Sequence, residues 1–375
     1  METGISSGNA GLTPKSFQKG PYAKVLQQLH VEKVYMMIRE LISRLVNRED
    51  LTASEMEGAM TEIMTGQATP TQIGVFVTAL RLKGETIDEI TGAARAMRKQ
   101  ATVLCTDTID RPLLDTCGTG GDSSNTFNVS TASAFVAAGG GIKVAKHGNR
   151  AVSSKCGSAD VLEALGVRLD ITTRHVERCI KETGIGFLFA PIFHEAMKYA
   201  AAPRQEIGIR TIFNLLGPLT NPAGADIQVL GVYDPSLTEK IAHVLHRLGI
   251  DAAFVVCGEG KFDEISICGP TRVSHLKNDQ VTTFEICPQD YGLDTAQPQD
   301  IAGGDMQENA LIIRNILNGE RGAKRDIVVF NAAAAFVLAG IAEDLKEGIE
   351  RAEYAIDSGA AIKKLRDLIK FTQAC

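Results

Sequence analysis

LLDTCGTGGDSSNTFNVSTASAFVAAGG, residues Leu113 to Gly140, reads as a β-strand that breaks into a glycine loop and then enters a helix. Gly118, Gly120 and Gly121 follow the apolar run, and the helix opens near Ser130. Glycines let backbone N–H groups approach an anion, and a helix N-terminus adds a favourable dipole. A dinucleotide fingerprint counted from Gly118 requires glycine at 123, where the chain has Ser123, and no Gly-Lys-Ser/Thr of the P-loop kind follows. Taken alone, GTGGD is also a plain tight turn at a strand end. Asp122 is the unexpected residue in a phosphate loop. A carboxylate beside phosphate is tolerable when a cation sits between them, or when it accepts bonds from ribose hydroxyls or loop amides.

Outward from this stretch the pattern is alternating. The β-prone runs RPLLDT, GIKVAK, AFVVCG, RVSHLK and DIVVFN are interleaved with helical segments from about Arg111 onward. Such alternation predicts an α/β unit with a mainly parallel sheet flanked by helices. Before it, residues 30–100 read as mainly helical: Val34, Ile38, Leu41 and Leu45 recur at helical spacing and are expected to share one stripe. Three capping boxes follow at Thr52/Glu55, Thr69/Gln72 and Thr86/Glu89, with glycine stops at Gly66 and Gly84. The segment from about Gly186 to Asn221 turns helical again and reads as a return to the N-terminal bundle. The expected plan is a flexible extension (1–28), a small helical domain (29–104, completed by 187–221) and a larger α/β domain (105–186 and 222–375).

The neighbours of the glycine loop strengthen the anion reading. NVST, Asn128 to Thr131, puts an amide and two hydroxyls at the mouth of the next helix, where Ser130 or Thr131 serves equally well as a plain N-cap. The strand GIKVAK runs into KHGNRAVSSKCGSAD, gathering Lys146, His147, Asn149 and Arg150 on one loop at a strand's C-terminal end, where open α/β sheets bind ligands. Ser158 reads as the cap of the helix ADVLEALG, with a hydroxyl also able to reach a phosphate. Downstream, FDEIS carries adjacent Asp263 and Glu264. Such a pair is a solvated acidic turn, or the anchor of a magnesium ion completed by water and substrate phosphates.

The net charge of −6 argues against a nucleic-acid partner held by bulk electrostatics. The longest late apolar stretch, NAAAAFVLAGIA, is far below the roughly 20 residues of a membrane span, so no membrane partner is expected. The 8 cysteines show no CxxC or zinc-type spacing and read as reduced thiols of a cytoplasmic protein. The first twenty residues carry no apolar run and no arginine, unlike a signal or transit peptide.

Taken together, DTCGTGGD, NVST, KHGNRAVSSKCGSADVLEALG, FHEAMK, APRQEIGIRTIFNLLGPLTNPA and FDEIS resemble the anthranilate phosphoribosyltransferases of tryptophan biosynthesis, from about residue 30 to the C-terminus. The resemblance implies transfer of phosphoribose from 5-phosphoribosyl 1-diphosphate to the amine of anthranilate, with release of pyrophosphate. It also implies Mg2+, two ions per subunit, and a homodimer formed through the helical part. Donor contacts map onto Gly118, Gly121, Asp122, Thr126, Asn128, Val129, Ser130, Thr131, Lys146, His147, Gly148, Asn149, Arg150, Ala151, Val152, Ser153, Ser154 and Ser158. Anthranilate contacts map onto Gly118, Asn149 and Arg204, and metal ligands onto Ser130, Asp263 and Glu264. The family more often has serine where this chain has Cys156, a weaker hydrogen-bond donor.

In that chemistry positive charge develops at the anomeric carbon and negative charge on the departing pyrophosphate. Backbone amides, Lys146 and magnesium suit the latter. The aromatic amine is neutral at pH 7, so no dedicated acid or base is expected, and positioning by Lys146, Asn149 and Arg204 carries the rate. Arg204 is the expected partner of the acceptor carboxylate, and Arg210, close by in sequence, is an alternative that periodicity cannot exclude; only the resemblance favours Arg204. His147 faces the amine or is a structural hydrogen bonder, and His194 is a candidate for the acceptor wall. With the donor site on the α/β part and Arg204 on the helical return, the site is expected in a cleft that closes on substrate. A pyrimidine nucleoside phosphorylase of similar fold fits the acidic pair less well. A non-catalytic nucleic-acid-binding relative fits the acidic charge less well.

Overall fold

A computed structural model describes Met1 and residues 37–120, 125–151 and 156–375. The extension expected over residues 1–28 and the stripe residue Val34 lie outside these, Met1 apart. Four helices open the described chain: α1 (37–46), α2 (Ala53–Met64), α3 (Pro70–Lys83) and α4 (Ile87–Gln100). The last three each begin with a complete capping box, formed by the three Thr/Glu or Thr/Gln pairs read from sequence. Reciprocal satisfaction of end N–H groups lets such short helices turn tightly. Ile38, Leu41 and Leu45 form the buried stripe of α1. Buried Glu89 also accepts from the Leu51 N–H (2.9 Å) and from Lys83 Nζ (3.0 Å), tying α3 and α4 to the loop between α1 and α2 at one carboxylate.

The rest is built on a seven-stranded sheet: β1 (Leu113–Gly118), β2 (Lys143–Gly148), β3 (Ile185–Phe189), β4 (Ile227–Gly231), β5 (Ala252–Gly258), β6 (Thr271–Lys277) and β7 (Gln280–Ile286). Their order is β3-β2-β1-β4-β5-β6-β7. The first five are parallel and the last two antiparallel. Helices α5 (Val129–Gly139), α6 (Ser158–Leu165), α12 (Met306–Leu317), α13 (Ala323–Leu338), α14 (Leu345–Asp357) and α15 (Ala360–Gln373) share the core on one face. α11 (Leu237–Arg247) packs on the other face, between the sheet and α4, while α7 (Thr173–Thr183) leans on β3. No helix of the described residues is long and apolar enough to cross a membrane.

DIVVFN is not a strand. It lies inside α13, whose residues from Ile327 to Phe336 are buried throughout. A short apolar run cannot distinguish a strand from a helix buried on all sides, and the four alanines that follow favour helix. The helical return also starts later than sequence suggests, because β3 occupies residues as far as Phe189. After it come α8 (Ala190–Phe193), α9 (Lys198–Ile207) and α10 (Phe213–Leu219), with α9 against α2 and α3 and α10 against α4. Arg98 on α4 donates to the Leu219 carbonyl (2.7 Å) and the Leu248 carbonyl (3.0 Å). It thereby ties α4 to the C-terminal ends of α10 and α11, and burial pulls its pKa down to about 10.

Candidate active site

The C-terminal ends of the parallel strands converge on one cleft of about 400 Å³. Its walls come from the loops after β1, β2 and β5, from α9 and α10, and from the 303–304 corner before α12. Two strand-end glycines make it possible. A Cβ on Gly118 would lie 2.5 Å from Asp263 Oδ2, and one on Gly231 would lie 1.5 Å from the Asp263 carbonyl oxygen. Only bare backbone at both ends lets the acidic arm cross this close. Asp263 Oδ2 then accepts from the Gly120 N–H (2.7 Å) and Glu264 Oε1 from the Ser130 N–H (3.1 Å). Buried Asn331 of α13 holds the arm from behind, exchanging hydrogen bonds with the Ile265 backbone (2.9 and 2.8 Å).

Lys146 is buried and donates to the Thr116 carbonyl (2.5 Å) and Ser130 Oγ (3.2 Å). Burial pulls its pKa down, against the opposing charges of Asp115 and Glu264. Asp115 lies beneath, fully buried, and accepts from the His147 N–H (3.3 Å); burial pushes its carboxyl up. His147 Nδ1 donates to the Gly217 carbonyl (3.2 Å), leaving Nε2 as the unprotonated acceptor, buried with no partner among the described residues. Burial pushes this imidazole down to about 3, so the neutral tautomer is fixed. The His194 ring stands 5.1 Å behind it and does not line the cleft.

On the opposite wall Arg204 stacks over Phe213, 5.2 Å from the ring centroid. No carboxylate pairs with it among the described residues, and burial alone lowers its pKa. Arg210 instead stands 4.4 Å over the Tyr233 ring and is absent from the cleft wall. The cleft thus holds a cation awaiting a counter-charge on one side, and a lysine, loop amides and two carboxylates on the other. Ser130 Oγ, Asp263 and Glu264 form an all-oxygen donor set, the chemistry magnesium prefers, and so fit that ion. Among the described residues no group of three or more His, Cys, Asp or Glu gathers anywhere as a ready metal cage.

Of the residues read from sequence, Gly118, Thr126, Asn128, Ser130, Lys146, His147, Gly148, Asn149, Arg150, Ala151, Ser158, Arg204, Asp263 and Glu264 line the cleft. Val129 and Thr131 do not. α5 starts at Val129, so both fall in its first turn and face the core. For the same reason neither Ser130 nor Thr131 is the cap residue; Asn128 holds that position. Ser158 is likewise the first residue of α6 rather than its cap, which is Gly157, with Asp160 accepting from the Gly157 and Ala151 N–H groups (both 2.9 Å). Arg150 lines the cleft, but its guanidinium is committed to Glu163 (2.7 Å) and Asp160 (3.0 Å). Gly121, Asp122, Val152, Ser153 and Ser154 lie outside the described residues. Asp115, Phe213, Asn331, Gly303, Gly304 and Asn309 escaped the sequence reading; of these, only the Gly303–Gly304 pair before a capped helix is a visible signal.

Two family models match: the α/β domain of a glycosyl transferase family over residues 110–362, and the helical bundle domain of that family over residues 39–101. An anthranilate phosphoribosyltransferase of Acetivibrio thermocellus is 55% identical over 338 residues, 90% of this chain and 97% of the relative. The crystal structure of anthranilate phosphoribosyltransferase from Thermus thermophilus superposes with a TM-score of 0.84 at 43% identity, covering 89% of this chain and 99% of that one. The Saccharomyces cerevisiae enzyme in complex with PRPP and Mg gives a TM-score of 0.83 at 30% identity, covering 90% and 98%.

Proposed function

This chain belongs to the anthranilate phosphoribosyltransferase family, and from that premise we infer the reaction and the residues that carry it. It transfers the 5-phosphoribosyl group of 5-phosphoribosyl 1-diphosphate to the amine of anthranilate, giving N-(5-phosphoribosyl)anthranilate and pyrophosphate, in tryptophan biosynthesis. The observation that carries the reading is the two-sided cleft. Lys146 and the strand-end loops face the acidic arm, and Arg204 stands across from them without a carboxylate among the described residues.

On this reading the loop amides, Asn128, Ser130 and Lys146 hold the donor's phosphates and ribose. Ser130, Asp263 and Glu264 hold magnesium, two ions per subunit. When bound, the metal neutralises the charge that grows on the departing pyrophosphate. Lys146 supplies an ammonium to the same charge from a position fixed by Thr116 and Ser130. Arg204 takes the anthranilate carboxylate in a bidentate fork and, with Gly118 and Asn149, aims the ring. His147, neutral and with its Nε2 lone pair unoccupied among the described residues, accepts from the aromatic amine and points its nitrogen lone pair at the anomeric carbon. No residue needs to act as a strong base: the amine attacks as the neutral base, and the proton its nitrogen sheds once the N–C bond has formed is strongly acidic and passes to the departing pyrophosphate or to water. Closure of the helical part, α1 to α4 with α8 to α10, onto the α/β part excludes water as a rival acceptor.

The homodimer forms through the helical part. Exposed Val46, Val75 and Leu82 surround an apolar groove of about 610 Å³ between α1, α3 and α9, a surface that supports this assignment. Eight free thiols support a cytoplasmic setting. The test is the loss of anthranilate fluorescence on adding 5-phosphoribosyl 1-diphosphate, with and without magnesium. Consumption that needs donor and metal is expected; a folded protein that leaves anthranilate untouched overturns the reading.

A further inference from the structure

We propose that Asn309, on α12, is a positioning residue for the donor side of the cleft, acting through Asn128; the proposal rests on the transferase reading above. Asn309 is 2% exposed and sits where three separate segments meet. Its Oδ1 accepts from the Gly304 N–H (2.8 Å), and its Nδ2 donates to Asn128 Oδ1 (3.2 Å). Asn128 Nδ2 in turn donates to the Cys156 carbonyl (3.1 Å).

A carboxamide is nearly symmetric in shape, and only its partners distinguish oxygen from nitrogen. Here the direction is set by a backbone N–H that can only donate, and it propagates through two amides to a carbonyl that can only accept. Asn128 is held with its oxygen toward Asn309. The corner that starts the chain is itself locked: Gly303 N–H donates to the Asn125 carbonyl (2.8 Å), and Ala302 bridges to Thr126.

A second observation gives this orientation a consequence. Asn128 occupies the N-cap position of α5, where an asparagine oxygen ordinarily accepts from the helix's own first N–H groups, yet it makes no capping bond. The Ser130 N–H goes instead to Glu264 Oε1. By holding the Asn128 oxygen away, Asn309 leaves that N–H to the acidic arm and so keeps Glu264 aimed into the cleft. Without Asn309 the Asn128 oxygen swings to cap α5 and competes with Glu264 for Ser130.

The test compares Asn309→Ala and Asn309→Asp with wild type. Steady-state kinetics would vary both substrates, and calorimetry would titrate 5-phosphoribosyl 1-diphosphate with magnesium into each protein without acceptor. In Asn309→Asp a second acceptor faces the Asn128 oxygen, so KM and Kd for the donor are expected to rise about tenfold to a hundredfold. Asn309→Ala is expected to raise them about threefold to tenfold, with KM for anthranilate within about twofold in both. Donor affinity unchanged in the folded variants, or both KM values raised alike, would make Asn309 a structural amide and overturn the proposal. If Asn309→Asp does not fold, Asn309→Ser is read in its place. A wild type that binds no donor sinks the transferase reading and this proposal together.

Discussion

Arg204→Met removes the guanidinium while keeping the length of the side chain. In the resting cleft Arg204 has a face-on aromatic partner, Phe213, and no carboxylate among the described residues. The substitution therefore orphans no acid, and the melting temperature should stay within about 2 °C of wild type or rise, since a partly buried cation without a counter-charge is lost. Binding tells the opposite story. Two charge-assisted hydrogen bonds to the acceptor carboxylate, net of desolvation, are together worth about 3–4 kcal/mol, so KM for anthranilate should rise roughly 10²- to 10³-fold. Arg204→Lys keeps charge but loses the fork and the stacking on Phe213, and about a tenfold rise is expected. The assay is steady-state fluorescence with anthranilate and, as a second acceptor, anthranilamide. Wild type should prefer the carboxylate strongly, and Arg204→Met should lose that preference. If the preference survives Arg204→Met and disappears in Arg210→Met, the acceptor carboxylate lies over Tyr233 and the acceptor wall has been misassigned.

Glu264→Gln should raise the magnesium concentration for half-maximal rate by about tenfold or more with KM for anthranilate unchanged; a superimposable magnesium titration would dismiss Glu264 as a ligand. The His147 imidazole has its pKa pushed down to about 3, below the roughly 6.5 of the unfolded chain. Between these values the unfolded chain holds a proton that the native protein lacks. Stability is therefore fully present above about pH 6.5 and falls as pH drops, by up to about 1.4 kcal/mol per unit from this group. His147→Gln should flatten that acid limb in urea melts from about pH 4 to about pH 7; equal slopes would refute the assignment. Leu82, 75% exposed beside the apolar groove, should be indispensable to self-association, so that Leu82→Lys sediments as a monomer; a dimeric variant would move the interface elsewhere.

Much of the candidate cleft was legible because the residues that line it sit in contiguous loops at strand ends. KHGNR and FDEIS name their own functional groups, and the Thr-initiated capping boxes announce three helices by spacing alone. What stayed hidden depends on tertiary placement. DIVVFN reads as a strand because periodicity is silent when every face is buried. Val129 and Thr131 sit in a motif whose alternate members face the cleft, and a one-residue difference in helix start decides which ones do. Asn309 looks like any polar residue of an amphipathic helix; its role comes from a partner 181 positions away in sequence. Arg204 and Arg210 each cover an aromatic ring, and only the fold puts Arg204 on the cleft wall and Arg210 off it.

The helical part is assembled from two stretches separated by the first three strands of the sheet: α1 to α4 from before them, α8 to α10 from after. A recombinant hybrid that exchanges only residues 37–100 with a relative would therefore import half of that bundle. It would set foreign α3 and α4 against native α9 and α10, leaving the tie that Arg98 makes to two carbonyls to be rebuilt across surfaces from different chains. A functional graft needs crossovers on both sides of β1 to β3, with the α11 surface matched as well. In this protein the boundary useful for swapping parts is drawn by the sheet, and it does not coincide with any single cut in the chain.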